Sequence, residues 1–145
     1  INLYKLENNV TLNDAIFGNN KKNILNNASA FILPSHSESF SIAIAEAMYY
    51  GLPVLTTTKT PWSIIKKNKL GWYIKPSKKE LKKALSELFS SSQKELEEIG
   101  ARAKLYISNK YDLMTTSKQM QKEIISISRL INNNSDKKQK ESFKR

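Results

Sequence analysis

Two carboxylates, Glu38 and Glu46, set the first chemical question. Glu38 lies in the polar run Pro34-Ser-His-Ser-Glu-Ser-Phe40. Glu46 is the only charge in Ser41-Ile-Ala-Ile-Ala-Glu-Ala-Met-Tyr-Tyr50, an otherwise largely apolar segment. A charge on a buried helix is costly unless something binds it. The segment reads as a helix, with Ser39 or Ser41 as its N-cap. The amides near Ser39, Phe40, Ser41 and Ile42 then point out of the helix N-terminus, where unpaired N–H groups and partial positive charge suit a phosphate. Glu46 falls one to one and a half turns further in, placed to accept bonds from paired sugar hydroxyls. A phosphate at the helix tip with hydroxyls at both carboxylates is the outline of a nucleotide sugar. The competing readings are a buried salt bridge to a lysine for Glu46 and a solvated loop acid for Glu38. Spacing alone does not choose between them.

The elements that position these residues follow from apolar runs and their punctuation. Val10-Thr11-Leu12, Ala30 to Leu33, Val54 to Thr57 and Trp72-Tyr73-Ile74 read as strands, the second of them buried and the last entered through Gly71. Between them fall helices over Asn19 to Asn27, with Ile24 and Leu25 facing inward, over Ser41 to Tyr50, stopped by Gly51 and Pro53, and over Pro61 to Lys67. Ser77 to Phe89 carries Leu81, Ala84, Leu85 and Leu88 on one amphipathic face. Gln93 to Ser108 and Leu113 to Ile131 read as further helices, and 132–145 as a disordered basic tail. Alternating strands and helices predict an α/β fold: a Rossmann-like parallel sheet with right-handed crossovers and helices on both faces, followed by C-terminal helices. Ligands of such sheets bind at the carboxyl ends of the strands, and the loop holding Glu38 is one of those ends.

Composition bounds the alternatives. The 145 residues suffice for one domain with a core, and 39% hydrophobic content excludes wholesale disorder. The absence of Cys excludes disulfides, thiolate zinc sites and cysteine nucleophiles and fits a cytoplasmic setting; the single His36 excludes a His-rich metal cluster. No apolar run approaches the ~20 residues of a membrane span. The net charge of +11 comes mostly from dispersed lysines. It fits either a codon bias toward Lys, Asn and Ile or attraction to phosphate-bearing partners. A basic nucleic-acid- or membrane-surface-binding module without catalysis is therefore the alternative, though no zinc motif or helix-turn-helix accompanies the charge.

Ser35-x-x-Glu38-x-Phe40, Glu46-Ala47 and Gly51-x-Pro53-Val54 together resemble the donor-binding signature of retaining glycosyltransferases of the GT-B fold, in the family 4 group. Val10-Thr11-Leu12, Phe17-Gly18-x-x-Lys21-Lys22, Ala28-x-Ala30-Phe31-Ile32-Leu33-Pro34 and Thr60-Pro61-Trp62 with Gly71-Trp72 resemble the branch that builds lipopolysaccharide cores and capsular sugars in bacteria. The resemblance implies that Glu46 holds the ribose hydroxyls and that Glu38, the catalytic candidate, holds a donor-sugar hydroxyl. It places the Ser39 to Ile42 segment at the diphosphate or sugar, with the Phe40, Ser41 and Ile42 amides as donors. Asn13, Asp14 and Lys22 are implied base or phosphate contacts. The implied donor is a UDP- or GDP-sugar, with no metal and no other cofactor. The implied acceptor is a saccharide or lipid-linked sugar, with no nucleic acid as partner and a peripheral contact with anionic membrane at its cytoplasmic face.

Two departures qualify the resemblance. The family usually has Gly where Ser41 stands, so a positive φ there costs on the order of 1 kcal/mol, whereas a plain N-cap costs nothing. The family's Gly-rich turn, its diphosphate-gripping Arg and Lys, and its acceptor-binding N-terminal domain have no counterpart here. Residues 1–131 are therefore expected to be a partial C-terminal donor-binding domain, nearly inactive alone, because transfer needs donor and acceptor held together. Trp62 and Trp72 are read as core or edge packing, Tyr49 and Tyr50 as packing, and Lys21 as a surface lysine.

Overall fold

The order of apolar runs becomes a three-stranded parallel sheet in a computed structural model, which describes residues 5–111. The elements are α1 (Gly18–Asn27), β1 (Phe31–Leu33), α2 (Ile42–Tyr49), β2 (Val54–Thr57), α3 (Ile64–Lys67), β3 (Gly71–Ile74), α4 (Lys78–Ser90) and α5 (Gln93–Lys110). The strand order is β1-β2-β3, both pairs parallel, with Phe31 opposite Val54 and Val54 opposite Gly71. This is the Rossmann-like α/β sheet with following helices that the alternation predicts. The chain divides into two units, Ile1–Leu105 and Tyr106–Arg145. In the second, the described residues end α5, and the Lys110 ammonium sits 5.7 Å and 5.8 Å from the Tyr106 and Tyr111 ring centres. The expected helix 113–131 and tail 132–145 lie outside the described residues.

The core of the first unit forms around β2, whose four residues are all buried. As the central strand of a parallel sheet it is covered on both faces, so it reads as a continuous run rather than an alternating one. α2 packs on β1 and β2 through Ile44, Ala47 and Met48, while α3 and α4 pack on β3. The hydroxyls of the buried threonines are all bonded. Thr56 Oγ1 donates to the Leu33 carbonyl at 2.8 Å, Thr57 Oγ1 to the Ser35 carbonyl and Thr60 Oγ1 to the Thr57 carbonyl at 3.0 Å.

Two glycines permit close backbone contacts. A Cβ on Gly71, at φ +142°, would lie 2.0 Å from the Val54 carbonyl oxygen, so only glycine lets β3 start there. A Cβ on Gly100 would lie 1.8 Å from the Gly51 oxygen, so α5 meets the turn after α2 backbone to backbone. Ser77 caps α4 by accepting from the Glu80 amide. Ser92 and Glu95 form a capping box at the start of α5: the Ser92 amide donates to Glu95 Oε2 at 2.8 Å, and the Glu95 amide to Ser92 Oγ at 3.3 Å.

Four expectations are corrected. Val10-Thr11-Leu12 is not a strand; it is exposed irregular chain, Leu12 being 80% accessible. A strand exists only with a hydrogen-bonded neighbour, and none flanks this segment among the described residues. Helix α1 forms but buries nothing, and Ile24 is exposed. Its two adjacent apolar residues do not make the i, i+3, i+4 stripe that packing requires. β1 is only partly buried, because it is flanked by a strand on one side alone among the described residues. The helix expected from Pro61 starts at Ile64, because its first backbone bonds run to the Trp62 and Ser63 carbonyls and no residue donates to the Pro61 carbonyl among the described backbone bonds.

Candidate active site at the loop after the first strand

The loop from Pro34 to Ser41 leaves the carboxyl end of β1 and is held by side chains from two neighbouring segments. Thr57, ending β2, donates its hydroxyl to the Ser35 carbonyl. Ser35 in turn donates its own hydroxyl to Glu38 Oε1 at 2.9 Å, so the half-buried Glu38 carboxylate is oriented through two bonds by the central strand. Further along, the indole N–H of Trp62 donates to the Phe40 carbonyl, and the two rings lie 5.2 Å apart at 47°. Trp62 is buried, so the loop is tied to a side chain of the core. Tyr73 on β3 donates its hydroxyl to the Thr60 carbonyl at 2.8 Å, fixing the connection that carries Trp62.

Ser41 joins this loop to α2 in the left-handed region, at φ 59° and ψ 79°, and its side chain caps nothing. The plain N-cap alternative is thereby excluded, and the position is one that favours glycine. Among the described residues nothing accepts from the Ser41 or Ile42 amides. They are unpaired donors at the start of an eight-residue helix, where an anion is favoured. Ile42 itself is exposed and extends no side chain into the core.

Glu46 is the fifth residue of α2. It is not the uncompensated buried charge that an apolar helix suggested. Its carboxylate is partly exposed and accepts from the Lys21 ammonium, Nζ to Oε2, at 2.6 Å. The salt-bridge reading of Glu46 is thus met in this structure, though at a site 39% accessible rather than buried. A carboxylate so placed retains lone pairs for a further donor such as a ribose hydroxyl.

The structure brings Glu38, Phe40, Ser41, Ile42 and Glu46 onto one loop and the helix that follows it. Ser39 lies exposed within that loop. It does not link Asn13, Asp14 or Lys22 to either glutamate by a hydrogen bond or ion pair; all three are exposed. Lys21 rather than Lys22 reaches Glu46. The sequence signal for that choice is helical phase: Lys21 and Lys22 differ by about 100° around a 3.6-residue turn, so only one of them can face α2. No comparable signal marks Trp62 as the residue that ties down the loop.

A pocket of about 250 Å³ opens at the carboxyl ends of all three strands, lined in part by His36, Thr57, Ile74, Ser77, Lys78 and Leu81. Among the described residues no group of three His, Cys, Asp or Glu side chains gathers as a metal site, and no helix is long and apolar enough to cross a membrane. Compared with known families, residues 1–106 match the model for glycosyl transferases group 1. No curated protein and no solved structure matches the chain.

Proposed function

The chain belongs to the glycosyl transferases group 1 family, and from that premise we propose that Glu38 to Glu46 is the donor site of a retaining sugar transferase of the family 4 type. In this reading the Glu46 carboxylate holds the ribose hydroxyls, the Ser41 and Ile42 amides meet the diphosphate, and Glu38, oriented by Ser35, holds a hydroxyl of the transferred sugar. The donor is a UDP- or GDP-sugar, and the acceptor is a saccharide or lipid-linked sugar of a bacterial cell-surface polysaccharide. The observation that carries the reading is the unpaired amide pair of a helix tip lying between two oriented carboxylates on one continuous loop and helix. Hydroxyl-accepting groups on both sides of an anion site match a nucleotide sugar better than they match a nucleic-acid backbone, which offers a continuous line of charge. Residues 5–111 supply three consecutive parallel strands, the equivalent of half a doubly wound sheet.

Calorimetric titration with UDP, GDP and their sugars tests it. Glu46→Gln keeps the shape and removes the charge, and is expected to weaken nucleotide binding at least about tenfold, the equivalent of ~1.4 kcal/mol. Binding that falls steeply with salt and ignores Glu46→Gln favours the basic-module alternative and refutes the site.

A further inference from the structure

Lysine is seldom withdrawn from water unless it is paired, and every lysine among the described residues is exposed except Lys21. Its ammonium reaches from α1 to α2, Nζ to Glu46 Oε2 at 2.6 Å, with the two side chains 43% and 39% accessible. The other ion pair among the described residues, Lys83 with Glu87, lies within one helix at 3.9 Å and is more exposed on both sides. The lysine that reads from the sequence as a surface residue is thus the one drawn in against a proposed ligand-holding carboxylate.

The form of the pair matters. Lysine meets a carboxylate as a point charge, whereas arginine presents a planar fork that engages both oxygens. Here Oε2 carries the ammonium, and among the described residues no donor is bonded to Oε1. The ammonium likewise has N–H donors left over. A carboxylate only accepts and an ammonium only donates, but a hydroxyl does both. Side by side, Oε1 and Nζ are complementary to one hydroxyl as donor and acceptor at once, or to two neighbouring hydroxyls. An anion is repelled by Glu46 and a cation by Lys21, so the pair selects a neutral hydroxylated group. Glu46 without Lys21 would favour any cation or donor alike.

We infer that Lys21 is a specificity-determining residue of the donor site: it donates to a ribose hydroxyl from which Glu46 accepts, and so sets a preference for ribose over 2′-deoxyribose. The inference rests on the donor-site reading and adds to it a residue of α1, outside the loop and helix that carry the rest of the site. Calorimetric titration of the full chain with UDP and GDP, each against its 2′-deoxy counterpart, tests it. The tighter-binding ribonucleotide is expected to exceed its deoxy form at least about tenfold. Lys21→Met keeps an apolar stem and removes the charge, and is expected to reduce that preference to less than about threefold. Lys21→Arg keeps the ion pair, so its thermal midpoint is expected to stay within about 2 °C of the unaltered chain. Its fork covers Oε1, however, and ribonucleotide affinity is expected to fall at least about threefold. A lysine that serves only as a strut gives the opposite pattern. The arginine variant then binds as the unaltered chain does, and the methionine variant weakens both nucleotides alike. Either result overturns the inference, as does an undiminished ribose preference in Lys21→Met. These results leave the donor reading standing as long as Glu46→Gln loses nucleotide. Nucleotide binding that is absent, or indifferent to Glu46→Gln, refutes the donor reading and this inference with it.

Discussion

Replacing Ser41 by glycine is expected to stabilise the protein although it removes a side chain. Ser41 sits at φ 59° and ψ 79° with no side-chain hydrogen bond at the helix start. A left-handed conformation costs a residue with a Cβ about 1–2 kcal/mol. Glycine escapes that cost, but its greater freedom in the unfolded chain takes back about 0.5–1 kcal/mol. The Ser41 carbonyl still accepts from the Ile44 amide at 3.1 Å, so no backbone bond is lost. The net gain lies between about 0 and 1.5 kcal/mol, or a rise in Tm of up to about 6 °C for a domain of this size. Urea unfolding followed by circular dichroism and a calorimetric Tm measure it, with Ser41→Ala and Ser41→Val as companions. Alanine keeps the Cβ and is expected to fall within about 0.5 kcal/mol of serine. Valine, β-branched, is expected to lose more than about 1 kcal/mol. A destabilised Ser41→Gly variant, or an alanine variant as stable as the glycine one, refutes the left-handed assignment. The same substitution also bears on function, because the Ser41 and Ile42 amides keep their direction only if this turn is kept.

Three further outcomes are expected. Gly71→Ala sets a Cβ 2.0 Å from the Val54 oxygen at φ +142°, and is expected to cost at least about 3 kcal/mol, read as loss of the cooperative thermal transition. Lys21→Gln breaks a partly exposed ion pair, and is expected to cost about 0.2–1 kcal/mol, with faster amide hydrogen exchange confined to α1. Hydrogen bonds from the Ser92 amide, first, and the Ser92 side chain hold the Glu95 carboxyl below its ordinary value of 4.5. The cap it makes is therefore complete above that pH and is lost as the pH falls through the lowered value. Acid titration of the α5 amides is expected to show fraying there, which Glu95→Gln, a neutral acceptor in the same box, makes independent of pH.

Much of the framework was legible because its signals are local. Val54-Leu55-Thr56-Thr57 is bounded by Gly51-Leu-Pro53 and by polar residues, and the strand matches its expected span. Ser77 precedes an amphipathic stripe and caps α4 as a Ser at that place should. What escaped depends on pairs distant in the chain. Val10-Thr11-Leu12 has strand-like residues, but a strand needs a partner that no local pattern supplies. The apolar face of α1 was overestimated from two adjacent residues, whereas one contact it makes is an ion pair from Lys21 to Glu46 on α2. The Glu38 to Glu46 loop and helix was found from residue types alone. Its geometry was not, because the positive φ of Ser41 and the indole bond to the Phe40 carbonyl leave no mark on periodicity.

The bond from the buried Trp62 indole to the Phe40 carbonyl has a consequence for the thermodynamics of recognition. Fixing a residue's backbone costs about 1–2 kcal/mol of conformational entropy. In a loop that orders only around its ligand, that cost is subtracted from affinity. Here the ordering of the Glu38 loop accompanies folding, through the Thr57–Ser35 and Trp62–Phe40 bonds. In the proposed donor site, binding at this loop therefore loses little chain entropy, and loosening Trp62 is expected to weaken nucleotide affinity without removing a proposed ligand contact.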